Sequence, residues 1–151
     1  MKQKRFSYGL QPVLLTRGWE LERLSQALAE ANGVVAACAA RLAQLRSALA
    51  AAADAWHGGL EQQFSVDTLA LASRYGQDLA RQVQVEQRLL ARAEQERDDL
   101  QQQVVLARRK LDAIEQHRGD SLLAFHKVQA GAQCQEADDQ WLMRRQAGSA
   151  P

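Results

Sequence analysis

The feature that most constrains this chain is a heptad repeat of apolar residues with no proline inside it. Stepping by seven from Leu14 meets Leu21, Leu28, Val35, Leu42, Leu49 and Trp56. Stepping by seven from Leu10 meets Arg17, Leu24, Ala31, Cys38, Leu45 and Ala52. The two series are offset by alternating threes and fours. That spacing puts both on one stripe of a helix, and the stripe needs a second helix to cover it. Only Arg17 is out of character. The two prolines stand at 12 and 151, so no proline interrupts a helix between them. Pro12 itself suits a first helical turn.

The repeat predicts a first helix over about 12–56, ended by His57-Gly58-Gly59, because glycine is a natural helix terminus. A connector at about 57–65 follows, with Ser65 as N-cap and Asp67 in the first turn of a second helix. A connector that short makes the helices antiparallel neighbours. The second helix, about 66–145, carries its own seam in two series. One is Val83, Leu90, Arg97, Val104, Leu111, Arg118, Phe125 and Ala132; the other is Leu79, Glu86, Ala93, Leu100, Ala107, Ile114, Ser121 and Val128. The charged Glu86, Arg97 and Arg118 either fix register at a cost in stability or reach solvent along their stems. The expected fold is all-α, a single coiled-coil domain of two unequal antiparallel helices with a flexible tail at 146–151. At the α-helical rise the arms are roughly 65 Å and roughly 120 Å long. Folding about the connector places Leu14 near Arg109. Beyond that point Ile114, Phe125 and Val128 form a stripe with no internal cover. Either a partner covers it, or the end frays or bends, helped by Gly119 and Gly131.

Composition agrees with long helices rather than a globular core. Aromatics are 5% of 151 residues, and the apolar 46% is inflated by alanine, which favours helix without filling volume. With 19 basic and 18 acidic residues the net charge is +1, which gives no footprint for nucleic acid. The start is locally basic, with Lys2, Lys4 and Arg5, and Arg108-Arg109-Lys110 forms a second cluster. Each is either a solvated charge run or a contact for an acidic partner. Cys38 and Cys134 lack metal or redox spacing, so reduced thiols are expected. Arg41, Arg46 and Asp54 interrupt the Ala-rich stretch from Gly33 to Ala55, so no membrane span is expected. Gln11, Pro12, Thr16 and Arg17 break up the segment where a signal peptide would have its apolar run.

Catalysis needs groups converging in a pocket, and a two-helix hairpin offers none, so no enzymatic activity is expected. His57, His117 and His126 do not share ligand spacing, and no phosphate-cradling glycine loop occurs; neither metal nor cofactor is expected. Trp56, Phe64, Leu69, Leu71 and Tyr75 gather near the tip. They are either interface anchors or a local cluster that closes the loop.

The opening from Phe6 to Arg17 resembles the FliJ/YscO family of type III secretion stalk proteins, where an aromatic precedes a Leu-x-x-(Val/Leu)-Leu-x-x-Arg pattern. Glu20 and Glu22 follow in the same manner. Tyr75, Leu79, the run Gln101-Gln102-Gln103, the segment from Leu111 to Arg118 and the ending from Asp138 to Arg145 also fit that family. The resemblance spans nearly the whole chain on motifs of low specificity. It implies a central stalk of a flagellar or injectisome export apparatus in the bacterial cytoplasm, peripherally associated with the inner membrane. It implies three partners: a hexameric secretion ATPase, an export gate membrane protein and export chaperones. The termini and distal second helix would enter the ring, with Lys4, Arg5, Arg17, Arg108, Arg109, Ile114, Phe125 and Val128 as contacts. The tip would approach the gate through Trp56, Phe64, Leu69, Tyr75 and Leu79. Two other readings stand beside this one, a soluble chaperone or adaptor of the same machinery and an unrelated self-associating coiled coil.

Overall fold

The structure, a computed structural model, describes residues 5–148. Lys4 lies outside the described residues. The fold is all-α, with α1 at Gln11–Glu61 and α2 at Val66–Ala147, joined as a helical hairpin whose second helix is the longer. Before α1, the Tyr8 carbonyl accepts the Gln11 N–H at 3.1 Å and the Leu10 carbonyl accepts the Leu14 N–H at 3.0 Å. Leu10 is therefore the N-cap residue, and it stays exposed instead of joining the seam.

The end of α1 differs from the expectation. His57-Gly58-Gly59 does not stop the helix, which continues to Glu61. No described glycine has a positive φ; the left-handed residue is Gln63, at φ 57°. The Phe64 N–H donates to the Gly59 carbonyl at 3.2 Å, the six-to-one bond that closes a helix around a left-handed residue. Gly59 has a different task. A Cβ there would overlap the Phe64 ring, which folds back onto the helix. The start of α2 is as expected. Ser65 Oγ accepts the Thr68 N–H at 3.3 Å, and Asp67 sits in the first turn.

The chain divides into two compact units, Glu22–Val105 and Met1–Leu21 with Leu106–Pro151. In Glu22–Val105 the two seams meet. Leu42 of α1 and Leu79, Glu86 and Ala93 of α2 are buried. Leu24, Leu28, Val35, Cys38, Leu45 and Leu49 are half-buried, as are Val83, Leu90, Leu100 and Val104. Two helices share only one surface, so each seam residue keeps a flank in water. A half-buried leucine is worth about 1 kcal/mol, so stability is spread along the unit rather than concentrated. Because α1 runs on past the glycines, Arg41 faces Glu86, about one helical turn further along α2 than folding at His57 predicts.

In the other unit Leu14 and Ala107 are buried, while Leu21, Leu111 and Ile114 are half-buried. Helix α2 runs unbroken through Gly119 and Gly131 to Ala147, so of the two alternatives for this end, fraying does not hold among the described residues. Nor does the distal stripe lack an internal partner. Residues 5–8, outside any helix, lie as a strap against it.

Candidate partner-binding surfaces

The connector end of Glu22–Val105 presents apolar side chains in the absence of a core to receive them. Val66 is 81% exposed and Leu71 69%, with Leu60, Phe64 and Tyr75 also exposed. Trp56 and Leu69 are half-buried. Trp56 occupies its seam position beside a groove of about 300 Å³ lined by Ala72, Ser73, Gly76 and Ala80, small residues that leave room for an indole. Leu79 needs correction. At 6% exposure it belongs to the helix–helix seam and offers nothing to a partner, because its heptad position points it at α1. Trp56, Phe64, Leu69 and Tyr75 keep accessible surface. Leu60 and Val66 join them, although a connector at about 57–65 puts both within it or at its edge, outside either seam.

The distal surface is built differently. Tyr8 Oη lies 2.7 Å from His117 Nδ1, with the ring centroids 5.7 Å apart. The same hydroxyl donates to the Ile114 carbonyl at 3.4 Å. The Phe6 ring sits 5.5 Å from Phe125 in a tilted pair and 6.5 Å from Tyr8 in a stacked one. Such ring geometries suit the aromatic quadrupole. A groove of about 600 Å³ runs beside the strap, lined by Arg5, Phe6, Ser121, Phe125 and Val128 among others. Ile114 and Phe125 are therefore partly covered, whereas Val128 is 73% exposed. Leu123, Trp141 and Met143 also stand exposed along α2. The missed residues are Phe6 and Tyr8 as cover for the stripe. Their alternation ahead of Pro12 is an extended-chain period, and it was the available signal.

The charged candidates are dispersed. Arg5, Arg108 and Arg109 are exposed. Arg17 Nη1 is bonded to Glu20 Oε2 at 2.8 Å, an i,i+3 pair on α1 that leaves Arg17 half-buried. Of the polar seam residues, Glu86 is truly enclosed. Its side chain is 8% exposed, with Arg41 Nε at 3.4 Å. Arg97 takes the other course: its stem is half-buried and its guanidinium holds Asp98 at 2.7 Å. Arg118 stays exposed. Cys38 is half-buried in the seam and Cys134 exposed.

One observation bears on the expectation that no segment spans a membrane. An 18-residue window of α1 reaches a mean hydropathy of 1.3, so by length and composition α1 is apolar enough to cross a membrane. The value is raised by alanine, and Arg41 and Arg46 stand in the alanine-rich part. In the hairpin, the seam residues of that stretch, Val35, Cys38, Leu42 and Leu45, lie half-buried or buried in the Glu22–Val105 unit.

Among the described residues no three His, Cys, Asp or Glu side chains group to hold a metal ion. No protein-family model matches the chain, and no curated protein and no solved structure is significantly similar to it.

Proposed function

We propose that this protein is a stalk component of a type III protein-export apparatus, binding a hexameric secretion ATPase and linking it to an export gate. The observation that carries the reading is the unequal hairpin. Helix α2 outruns α1, and its distal residues Phe125 and Val128 extend the seam past the helix–helix contact. An apolar stripe continued beyond its own partner helix is a docking surface. The resemblance of the opening Phe6–Arg17 segment and of the later motifs supplies the class of partner. In this reading the distal stripe, with Arg5, Arg17, Arg108 and Arg109, meets the ring. The exposed connector residues Phe64, Leu71 and Tyr75 meet the gate or export chaperones. The protein acts without catalysis of its own and without inserting in the membrane, on the cytoplasmic side of the inner-membrane apparatus.

The test is co-purification of the full chain with the secretion ATPase encoded in the same genome, with ATPase assembly read by light scattering. Capture of the hexamer and a shift of the ATPase toward the ring are expected. No capture and no shift would sink the proposal. A soluble adaptor would instead bind export chaperones through the connector residues and leave the ring untouched. A self-associating coiled coil would sediment as a dimer that Val128→Asp dissociates.

A further inference from the structure

The strap is a ligand already seated on the distal stripe, and its anchorage is slight. Among the described residues, no backbone–backbone hydrogen bond joins residues 5–8 to α2. Among the described residues, the attachment includes the Tyr8–His117 bond and ring contact, the longer Tyr8–Ile114 bond and the Phe6–Phe125 ring pair. Arg5 and Ser7 are exposed, and Phe6 and Tyr8 are only half-buried. Ordering four residues of extended chain costs conformational entropy, and two half-buried rings offset little more than that. Segments with few buried contacts and solvent-exposed backbone open locally without global unfolding.

What the strap covers and what it leaves bare are parts of one stripe. Ser121 and Phe125 lie beneath or beside it, while Val128, one heptad past Ser121, is open and lines the same groove. A partner can therefore land on Val128 before the strap leaves. Phe6 forms one wall of that groove and shows what the Phe125 face accepts, namely an aromatic ring carried on an extended segment and tilted against Phe125.

We propose that the face of α2 from Ser121 to Val128 is a docking site for an aromatic side chain of a protein partner, and that residues 5–8, whose Phe6 ring rests on Phe125, are its resident, displaceable cover. The strap then gates the distal stripe: closed, it shields Phe125; displaced, it frees the ring-binding face and the aromatic anchor of the partner replaces Phe6. This rests on the stripe being the ring-binding surface, as proposed above. A ligand shifts such an equilibrium only by its preference for the open form, so opening the strap in advance strengthens binding and locking it abolishes binding.

The experiment uses the full chain with Cys38→Ser and Cys134→Ser, in three forms. The first adds Ser121→Cys as an accessibility reporter, read by its rate of maleimide labelling. The second adds Phe6→Ala and Tyr8→Ala to the reporter. The third adds Ser7→Cys with Ser121→Cys to form a disulfide that ties the strap down. Helical circular dichroism should match in all three, because each carries the same two seam substitutions, Cys38→Ser and Ser121→Cys, and the remaining changes lie in the strap. Labelling is expected to rise by roughly tenfold when the two rings are removed, and the opened form should capture the ATPase at roughly tenfold lower concentration. The oxidised third form should capture none, and reduction should restore capture. Equal labelling with and without the rings overturns the strap as a cover. Equal capture by oxidised and reduced third forms overturns the gate while leaving the ring reading intact. A labelling response with no capture by any form overturns the ring reading and the gate built on it.

Discussion

The unit Glu22–Val105 and the unit formed by the two terminal segments cover α2 by different means. In the first, α2 meets another helix, and the fit is a repeated interdigitation of seam residues with Leu42, Leu79 and Ala93 at its most buried points. In the second, part of α2 meets an extended strap that covers it through two rings and the hydrogen bonds of Tyr8 to His117 and Ile114. Helix-on-helix cover is continuous and cooperative, since moving one seam residue disturbs its neighbours on both helices. Strap cover is local, since releasing Phe6 leaves the helix beneath it hydrogen-bonded. One surface is built to hold and the other to be exchanged.

Placing a charge on each surface gives the largest expected effect. Leu42→Asp puts an unpaired carboxylate in the seam and should cost about 4 kcal/mol, read as a lower urea midpoint of the helical signal. Phe125→Asp should cost below about 1 kcal/mol in the same assay, because the strap can leave and let the charge reach water. A large loss at Phe125 would erase the comparison. Next is Glu86→Leu. Glu86 is held at a seam position with Arg41 Nε at 3.4 Å, and Arg41 is itself largely exposed. Replacing that carboxylate with leucine should stabilise the chain by about 1–2 kcal/mol, seen as a higher melting temperature. If stability falls instead, the Arg41–Glu86 pair contributes more than its burial costs. Smaller again is Ser65→Ala, which removes the oxygen that accepts the Thr68 N–H and should cost about 1 kcal/mol in urea unfolding. The smallest is Tyr8→Phe. It deletes the 2.7 Å bond to His117 but keeps the ring, so global stability should hold within about 0.5 kcal/mol. The change should show only as faster labelling of a cysteine at position 121.

The end of α1 shows where sequence signals compete. Glycine at 58 and 59 reads as a stop because glycine favours left-handed backbone. Yet the left-handed residue is Gln63, and Gly59 is required instead by the ring of Phe64. The residue type was informative; its use depended on a side chain five positions away. Leu79 is a second case. It was legible both as a seam residue and, from the family resemblance, as a contact near the tip. Its heptad position points it at α1, so packing in the seam takes it. Glu86 is a third. Its seam position was legible, but whether its charge would be enclosed or reach water was decided by the register that set Arg41 opposite it.

The sequence by itself determined the two helices, their antiparallel pairing, their unequal lengths and the seam, because heptad spacing is a local, repeating constraint. Every position of that repeat on α1 lies buried or half-buried, and only Leu10, ahead of the helix, is exposed. Only the tertiary structure decided the register of the pairing, the enclosure of Glu86 and the strap over the distal stripe. Those depend on where α1 stops and on contacts between Phe6 and Phe125, or Tyr8 and His117, that are separated by more than a hundred residues. A repeat announces itself by its period, whereas a single long-range contact between rings has none.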